Sequence, residues 1–159
     1  MNIALIGGKA SGKTTICRLL AKRLDKNIVS VEDEIKKKTK VSMQSFIKKY
    51  DLSKFCDIEC EIIERISDFD DCVLDTTHST VMRNENVTNL KKNSIVVLLT
   101  ADAKTIASRF KAGDGELMQN SDDYGLRCGN AADYSIDTSR LSPDEICDLI
   151  THYLQAELR

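Results

Sequence analysis

The sequence predicts a single α/β domain in which a five-stranded parallel sheet is covered by helices on both faces, giving three layers. Three observations predict this fold class. Strand-like and helix-like segments alternate along the chain, and a glycine-rich loop follows the first strand directly. The most continuous apolar run, residues 95–99, is typical of a central parallel strand. The 159 residues fit one domain with a substantial core.

Composition excludes several classes of function. The formal net charge of −2 creates no basic field that would attract nucleic acid or an anionic membrane. No apolar run reaches the length of a membrane span, and a strand begins where a signal peptide would stand. The six cysteines show no CxxC pair, which favours buried reduced thiols over a zinc site. We therefore expect a cytoplasmic monomer or weak dimer with no nucleic-acid or membrane partner.

The first element is a short buried strand, residues 3–6, and a helix is predicted over residues 15–24. Between them lies the pattern Gly, four residues, Gly-Lys-Thr. The loop and the residue after it are Gly7, Gly8, Lys9, Ala10, Ser11, Gly12, Lys13, Thr14 and Thr15. Backbone N–H groups of such a loop converge on phosphate, and the helix N-terminus adds partial positive charge. We expect ATP here, with Lys13 neutralising its outer phosphates and Thr14 binding Mg²⁺.

A predicted second strand, residues 28–31, is followed by short helices over residues 32–38 and 43–50 and a longer amphipathic helix over residues 53–69. Ser53 is the expected N-cap of the longer helix. Residues 32–70 are therefore expected to form a helical region that binds the acceptor. Glu32 and Asp33 open this region, and Glu32 is placed to orient or deprotonate an acceptor hydroxyl. The alternative is that these acids only favour the helix dipole.

The third predicted strand, residues 72–74, ends in Asp75, which is followed by a polar turn. Ligands of parallel sheets bind at the carboxyl ends of the strands. Asp75 is therefore expected to hold Mg²⁺ or its water shell, although an aspartate there can also cap a turn. His78 lies three residues further on and is a candidate for contacting substrate or relaying a proton. The alternative for His78 is an ordinary polar loop.

The last part of the chain supplies two strands, two helices and a candidate lid. The strands are expected at residues 95–99 and 134–136, and the helices at residues 102–111 and 143–157, the latter capped by Ser142. Residues 111–130 contain several glycines and are expected to form a short, mobile lid. Arg127 is the candidate lid arginine that stabilises the charge of the transferring phosphoryl group.

These motifs together resemble the shikimate kinases, within the nucleoside monophosphate kinase-like group of P-loop proteins. The resemblance covers about residues 1–110 and resumes near Ala131. It rests on the glycine-rich loop, residues 41–47, residues 55–59, the strand at 96–99 followed by Ser108-Arg109-Phe110, and residues 132–139. It implies a P-loop NTPase fold, ATP and Mg²⁺ as cofactors, and an Arg109 that lies along the adenine base.

The departures from this family lie on the acceptor side. Ser30 and Glu32 stand where shikimate kinases carry two aspartates, and Cys56 stands where an arginine binds the substrate carboxylate. A thiol cannot form the forked pair that an arginine makes with a carboxylate. We therefore expect the nucleotide half to be retained and the acceptor pocket, which includes Glu32, Asp33, Cys56 and His78, to be rewritten.

Two further stretches depart in the same way. Residues 77–79 replace a Gly-Gly-Gly turn of the substrate pocket, and residues 115–118 replace the Arg-Pro-Leu-Leu of the lid. The sequence therefore predicts an ATP-dependent phosphotransferase whose acceptor is a small hydroxylated metabolite other than shikimate.

Two alternatives remain open at this point. Residues 136–143 also look like those of archaeal-type cytidylate kinases, which would indicate a nucleoside monophosphate kinase. Such an enzyme needs arginines to grip the monophosphate, and Arg65 and Arg83 are the only ones between the first helix and the fourth strand. The other alternative is a non-catalytic nucleotide-binding protein that has kept the phosphate loop and lost the acceptor pocket.

Overall fold

The computed structural model describes residues 1–109 and 122–158. Within these ranges, five parallel strands form one sheet in the order β2-β3-β1-β4-β5. The strands are β1 (Asn2–Ile6), β2 (Asn27–Ser30), β3 (Cys72–Asp75), β4 (Ser94–Thr100) and β5 (Tyr134–Asp137). The predicted five-stranded parallel sheet is thereby confirmed.

Helices connect successive strands and cover the sheet. They are α1 (Lys13–Leu24), α2 (Val31–Thr39), α3 (Met43–Lys49), α4 (Leu52–Ile66), α5 (Asn84–Lys91), α6 (Ala103–Arg109), α7 (Asp122–Ala131) and α8 (Pro143–Glu157). A short 3-10 helix, Thr80–Met82, lies between β3 and α5. No helix in the described ranges is long and apolar enough to cross a membrane.

The sheet has a hydrophobic core on each face because successive side chains of a strand point to opposite sides. In β1, Ala4 and Ile6 join the cluster built with α2, α3, α4, α5 and α7. Ile3 and Leu5, which alternate with them, join the cluster built with α1 and α8. Burial on both faces explains why the central strands are continuously apolar, and it confirms the three-layer prediction.

Capping side chains move two element boundaries away from the predicted ones. The second strand ends one residue earlier than expected, because the Ser30 hydroxyl accepts from the Asp33 N–H and makes Val31 the first helical residue. Helix α4 is capped by Asp51, whose carboxylate accepts from the Lys54 N–H at 2.7 Å, and the predicted cap at Ser53 is wrong. The same helix ends at Ile66 rather than at 69.

The predicted cap at the start of the last helix is confirmed. Ser142 accepts from the Glu145 N–H at 3.2 Å, and the Glu145 carboxylate accepts from the Ser142 N–H at 3.0 Å, forming a reciprocal capping box. Pro143 occupies the first helical position, where its missing N–H removes no hydrogen bond.

Sequence analysis missed the 3-10 helix and α5, which lie in a polar stretch with weak helical periodicity. It also assigned residues 111–130 to a lid. Residues 122–131 instead form α7, which packs Tyr124 and Cys128 into the core. Residues 110–121, which include most of the expected lid, lie outside the described residues.

Phe55 lies within α4 and Phe69 follows the end of this helix, and their different exposure predicts unequal contributions to stability. Phe55 is 0% exposed, so replacing it by alanine leaves a cavity, and we expect Phe55→Ala to lower the free energy of unfolding by about 3–5 kcal/mol. Phe69 is 37% exposed, so Phe69→Ala is the matched control, with an expected loss below about 1 kcal/mol. Urea denaturation measures both, and equal losses would contradict the assignment of the core.

Candidate active site

The phosphate loop depends on glycine at position 7. Gly7 has a φ of +145°, and a Cβ atom there would lie 2.4 Å from the carbonyl oxygen of Leu99 in β4. A side chain at this position therefore meets both backbone strain and a steric clash. The missing side chain lets the chain leave β1 and turn tightly against β4, which places the loop over the carboxyl edge of the sheet.

Lys13 begins α1 and folds back onto the loop. Its Nζ donates hydrogen bonds to the carbonyl oxygens of Gly7, at 2.7 Å, and of Gly8, at 2.9 Å. Burial lowers the pKa of Lys13 to about 8, against the opposing effect of the Asp75 charge. The ammonium is therefore charged at neutral pH and is held at the predicted phosphate site.

Asp75 and Thr14 meet because β3 and β1 are neighbours in the sheet, with Asp75 paired opposite Leu5. The Thr14 hydroxyl donates to the Asp75 carboxylate at 2.9 Å. Burial raises the pKa of Asp75, and the hydrogen bond from Thr14 and the charge of Lys13 oppose that shift. A carboxylate is thus held at the edge of the phosphate loop by a hydroxyl on the first helical turn.

These two oxygen groups fit Mg²⁺, which prefers oxygen ligands and usually binds through one or two protein groups together with substrate phosphates. Among the described residues, no group of three or more His, Cys, Asp or Glu side chains could hold a metal by itself. Thr14 and Asp75 would therefore hold a magnesium ion whose remaining ligands come from the nucleotide and water, and this role of both residues stays a prediction.

A cavity of about 720 Å³ opens above the carboxyl edge of the sheet. The phosphate loop from Lys9 to Thr15 forms part of its wall, with Arg18 from α1 and Arg109 from α6. Strand β2, helices α2 and α3, the end of β3 and the loop after it supply the rest, namely Ile28, Ser30, Glu32, Asp33, Met43, Gln44, Asp75, Thr76, Thr77 and His78. The predicted residues Glu32, Asp33, Asp75 and His78 are therefore brought together with the phosphate loop in one cavity.

Arg109 also lines this cavity, and its guanidinium locks two loops together. It donates to the Ala10 carbonyl at 3.2 Å and to the hydroxyl and carbonyl of Thr138 at 3.2 and 3.3 Å. Arg109 therefore ties the phosphate loop to the segment after β5. Its predicted contact with the adenine base stays a prediction.

Two predicted residues do not reach the cavity. Cys56 is buried in the core, and burial raises the pKa of its thiol to about 11, so the group is neutral. Arg127 lies on α7, where its Nε donates to Asp123 at 3.0 Å and a terminal nitrogen donates to the Met82 carbonyl at 3.3 Å. The geometry therefore corrects the placement of both residues, because each is held by packing or by hydrogen bonds outside the cavity wall.

Sequence reasoning missed several lining residues, including Arg18 and Gln44. A signal for Arg18 was present, because it lies four residues after Thr14 and therefore on the same face of α1. Gln44 carried no such signal, because its place in the wall depends on how α3 packs against the sheet.

The fold and the cavity define a P-loop protein that binds a nucleoside triphosphate. A sequence model of the shikimate kinase family matches residues 9–155. A shikimate kinase of Caldicellulosiruptor saccharolyticus is 33% identical over 90% of this chain and 89% of its own length. Another from Thermodesulfovibrio yellowstonii is 32% identical over 94% of this chain and 92% of its own length.

The solved structures agree on the fold. The shikimate kinase of Acinetobacter baumannii in complex with shikimate superposes with a TM-score of 0.86, at 21% identity, over 98% of this chain and 93% of that one. The chain therefore belongs to the shikimate kinase family, and it is an ATP-dependent small-molecule kinase. Membership in a family of kinases does not agree with the non-catalytic nucleotide-binding protein that the sequence left open as an alternative.

The lowered pKa of Lys13 predicts how ATP affinity depends on pH. The charged ammonium attracts phosphate, and its pKa in the free protein is about 8, so the protonated fraction falls as pH rises from 7 to 9. We expect the dissociation constant for Mg·ATP to rise above pH 8, by up to about tenfold per pH unit. Isothermal titration calorimetry at a series of pH values measures this dissociation constant.

The control for this pH dependence is Lys13→Arg, whose guanidinium keeps its charge throughout this range. Its ATP affinity, whatever its absolute value, should stay level between pH 7 and 9. A dissociation constant of the unmodified protein that is equally level would contradict the shifted pKa.

Proposed function

We propose that this kinase transfers the γ-phosphate of ATP to a hydroxyl group of shikimate. The observation that carries the proposal is the agreement of relatives that are more than 30% identical over 90% or more of the chain and that are themselves shikimate kinases. The expectation that the acceptor is a different metabolite finds no support in these comparisons. They point to shikimate instead.

In the proposed reaction the phosphate loop binds the triphosphate through its backbone N–H groups, and Lys13 exchanges the Gly7 and Gly8 carbonyls for phosphate oxygens. A magnesium ion held at Thr14 and Asp75 would neutralise phosphate charge. Glu32 and Asp33 lie on the cavity wall at the start of α2, where their carboxylates orient the acceptor hydroxyl toward the phosphate. Phosphoryl transfer needs chiefly such positioning and charge neutralisation.

Position 56 carries a cysteine where shikimate kinases carry an arginine, and we expect this difference to weaken the binding of shikimate more than it slows phosphoryl transfer. Cys56 offers no forked contact to a carboxylate, whereas the carboxylates of Glu32 and Asp33, which we propose to bind the acceptor hydroxyls, remain in the cavity wall. We therefore expect a Michaelis constant for shikimate near or above about 1 mM, the upper end of the usual range.

The contacts of Arg65 and Arg83 do not support a nucleoside monophosphate kinase. Arg65 donates to Glu34 at 2.6 Å, and Arg83 donates to Asp57 at 2.6 Å. Neither arginine lines the cavity, so neither is placed to grip the phosphate group of a monophosphate acceptor.

ADP release from Mg·ATP, measured with a panel of acceptors, tests the proposal. The panel contains shikimate, other polyols and sugars, hydroxy amino acids and nucleoside monophosphates. We expect shikimate to give the largest rate increase over ATP alone. A larger increase with another acceptor would reject shikimate as the substrate and leave the kinase assignment in place.

Lys13→Ala tests the assignment of the phosphate site. Removing the ammonium removes charge stabilisation from the transferring phosphoryl group, so we expect kcat to fall by at least about 100-fold. Circular dichroism should show an intact fold. Lys22→Ala, an exposed position on the same helix, is the matched control and should keep full activity. Unchanged turnover in Lys13→Ala would refute the site.

A further inference from the structure

His78 lies in the loop between β3 and the 3-10 helix, three residues after Asp75, and it lines the same cavity as Lys13. The charges of Lys9 and Lys13 on the phosphate loop act on its imidazole. Burial, followed by these two charges, lowers the pKa of His78 to about 4. The imidazole is therefore neutral at physiological pH and retains a lone pair that can accept a proton.

A buried carboxylate binds the side-chain hydroxyls of the residues on both sides of His78. Glu59 on α4 is 0% exposed, and it accepts hydrogen bonds from the hydroxyls of Thr77 at 2.9 Å, Ser79 at 2.6 Å and Thr80 at 2.8 Å. Three hydroxyl donors satisfy a group that would be costly to bury alone. Two of these donors are the immediate neighbours of His78, so the carboxylate fixes the loop that presents the imidazole.

A second contact holds the same loop from the other side. The Tyr124 hydroxyl on α7 donates to the His78 carbonyl oxygen at 2.6 Å. Burial raises the pKa of this phenol far above its usual range, so it remains a donor. The loop between β3 and the 3-10 helix is thus anchored to α4 and to α7, and His78 between these anchors lines the same cavity as the phosphate loop.

We propose that His78 accepts the proton of the acceptor hydroxyl during phosphoryl transfer, while Glu32 orients that hydroxyl. The hydroxyl oxygen forms a bond to the γ-phosphorus, the bond from that phosphorus to the β,γ-bridging oxygen breaks, and ADP leaves. The hydroxyl proton moves to an imidazole nitrogen, and the resulting imidazolium later releases it to solvent. This inference rests on the proposed kinase reaction and names the proton acceptor within it.

Nucleotide binding makes this role productive. In the free protein Lys9 and Lys13 oppose protonation of His78, with Asp75 at the same edge and Glu59 and Tyr124 behind the loop. The negative charges of bound ATP offset the two lysines, which are the smaller causes of the shift, and so raise the pKa of the imidazole, while burial continues to lower it. The base is therefore strengthened when the phosphoryl donor is in place.

The kinetic test compares His78→Gln with Glu32→Gln. We expect His78→Gln to lower kcat for shikimate phosphorylation, and the slow acceptor-free hydrolysis of ATP, by about 100-fold or more, with the dissociation constant for ATP within twofold of the unmodified value. Added imidazole should restore part of the activity of His78→Ala. Glu32→Gln should chiefly raise the Michaelis constant for shikimate and keep the pH dependence of kcat.

An effect of His78→Gln on the Michaelis constant alone, or a pH dependence lost in Glu32→Gln rather than in His78→Gln, would overturn the proposal. Failure of the proposed substrate is seen separately, because the unmodified protein would then release no extra ADP with shikimate. The hydrolysis measurement and the titration below require no acceptor, so they test His78 in that case as well.

The titration uses nuclear magnetic resonance of the imidazole in a His152→Gln background, which leaves His78 as the single histidine of the sequence. We expect a pKa of about 4 in the free protein and a rise of at least about one unit with Mg²⁺ and a non-hydrolysable ATP analogue. A titration that the nucleotide leaves unchanged would overturn the proposal.

Discussion

The site depends on the hydrogen bond from Thr14 to Asp75, which joins the first turn of α1 to the end of β3. Thr14 stands at the start of the helix that follows β1, and Asp75 ends the neighbouring strand β3. The bond therefore fixes the phosphate loop against the strand that leads into the acceptor side. A buried carboxylate is unfavourable unless it is compensated, and here a hydroxyl and the nearby Lys13 charge compensate it. The cost is consistent with a position that serves a metal ion rather than the core.

A second buried carboxylate performs a structural task on the acceptor side. Glu59 lies on α4, and its hydroxyl partners lie 18 to 21 residues further along the chain. It connects the helical region to the loop that follows β3, much as Asp75 connects β3 to the phosphate loop. The cavity is thus walled by segments that are each tied to a neighbouring element, which suits a reaction that depends on positioning.

Much of this arrangement could be predicted from the sequence. The apolar run of β4 and the glycine-rich loop carry local signals, and they placed the sheet and the phosphate site correctly. Cys56 and Arg127 were misplaced because their environment is set by tertiary packing: the helix glycines near Arg127 suggested mobility, but Tyr124 and Cys128 pack α7 into the core. Glu59 belongs to the stretch 55–59 that carries the family resemblance, but its burial gave no local signal, since a helical glutamate is usually exposed and its partners are distant in sequence.

The central claim is that the phosphoryl group of ATP reaches an acceptor hydroxyl at this cavity. Phosphorus nuclear magnetic resonance of the purified protein with Mg·ATP and shikimate tests it most directly, because it identifies the product that carries the phosphate. The account predicts a phosphate monoester signal that grows in equal amount with ADP. Formation of ADP and inorganic phosphate alone, with no monoester, would contradict it.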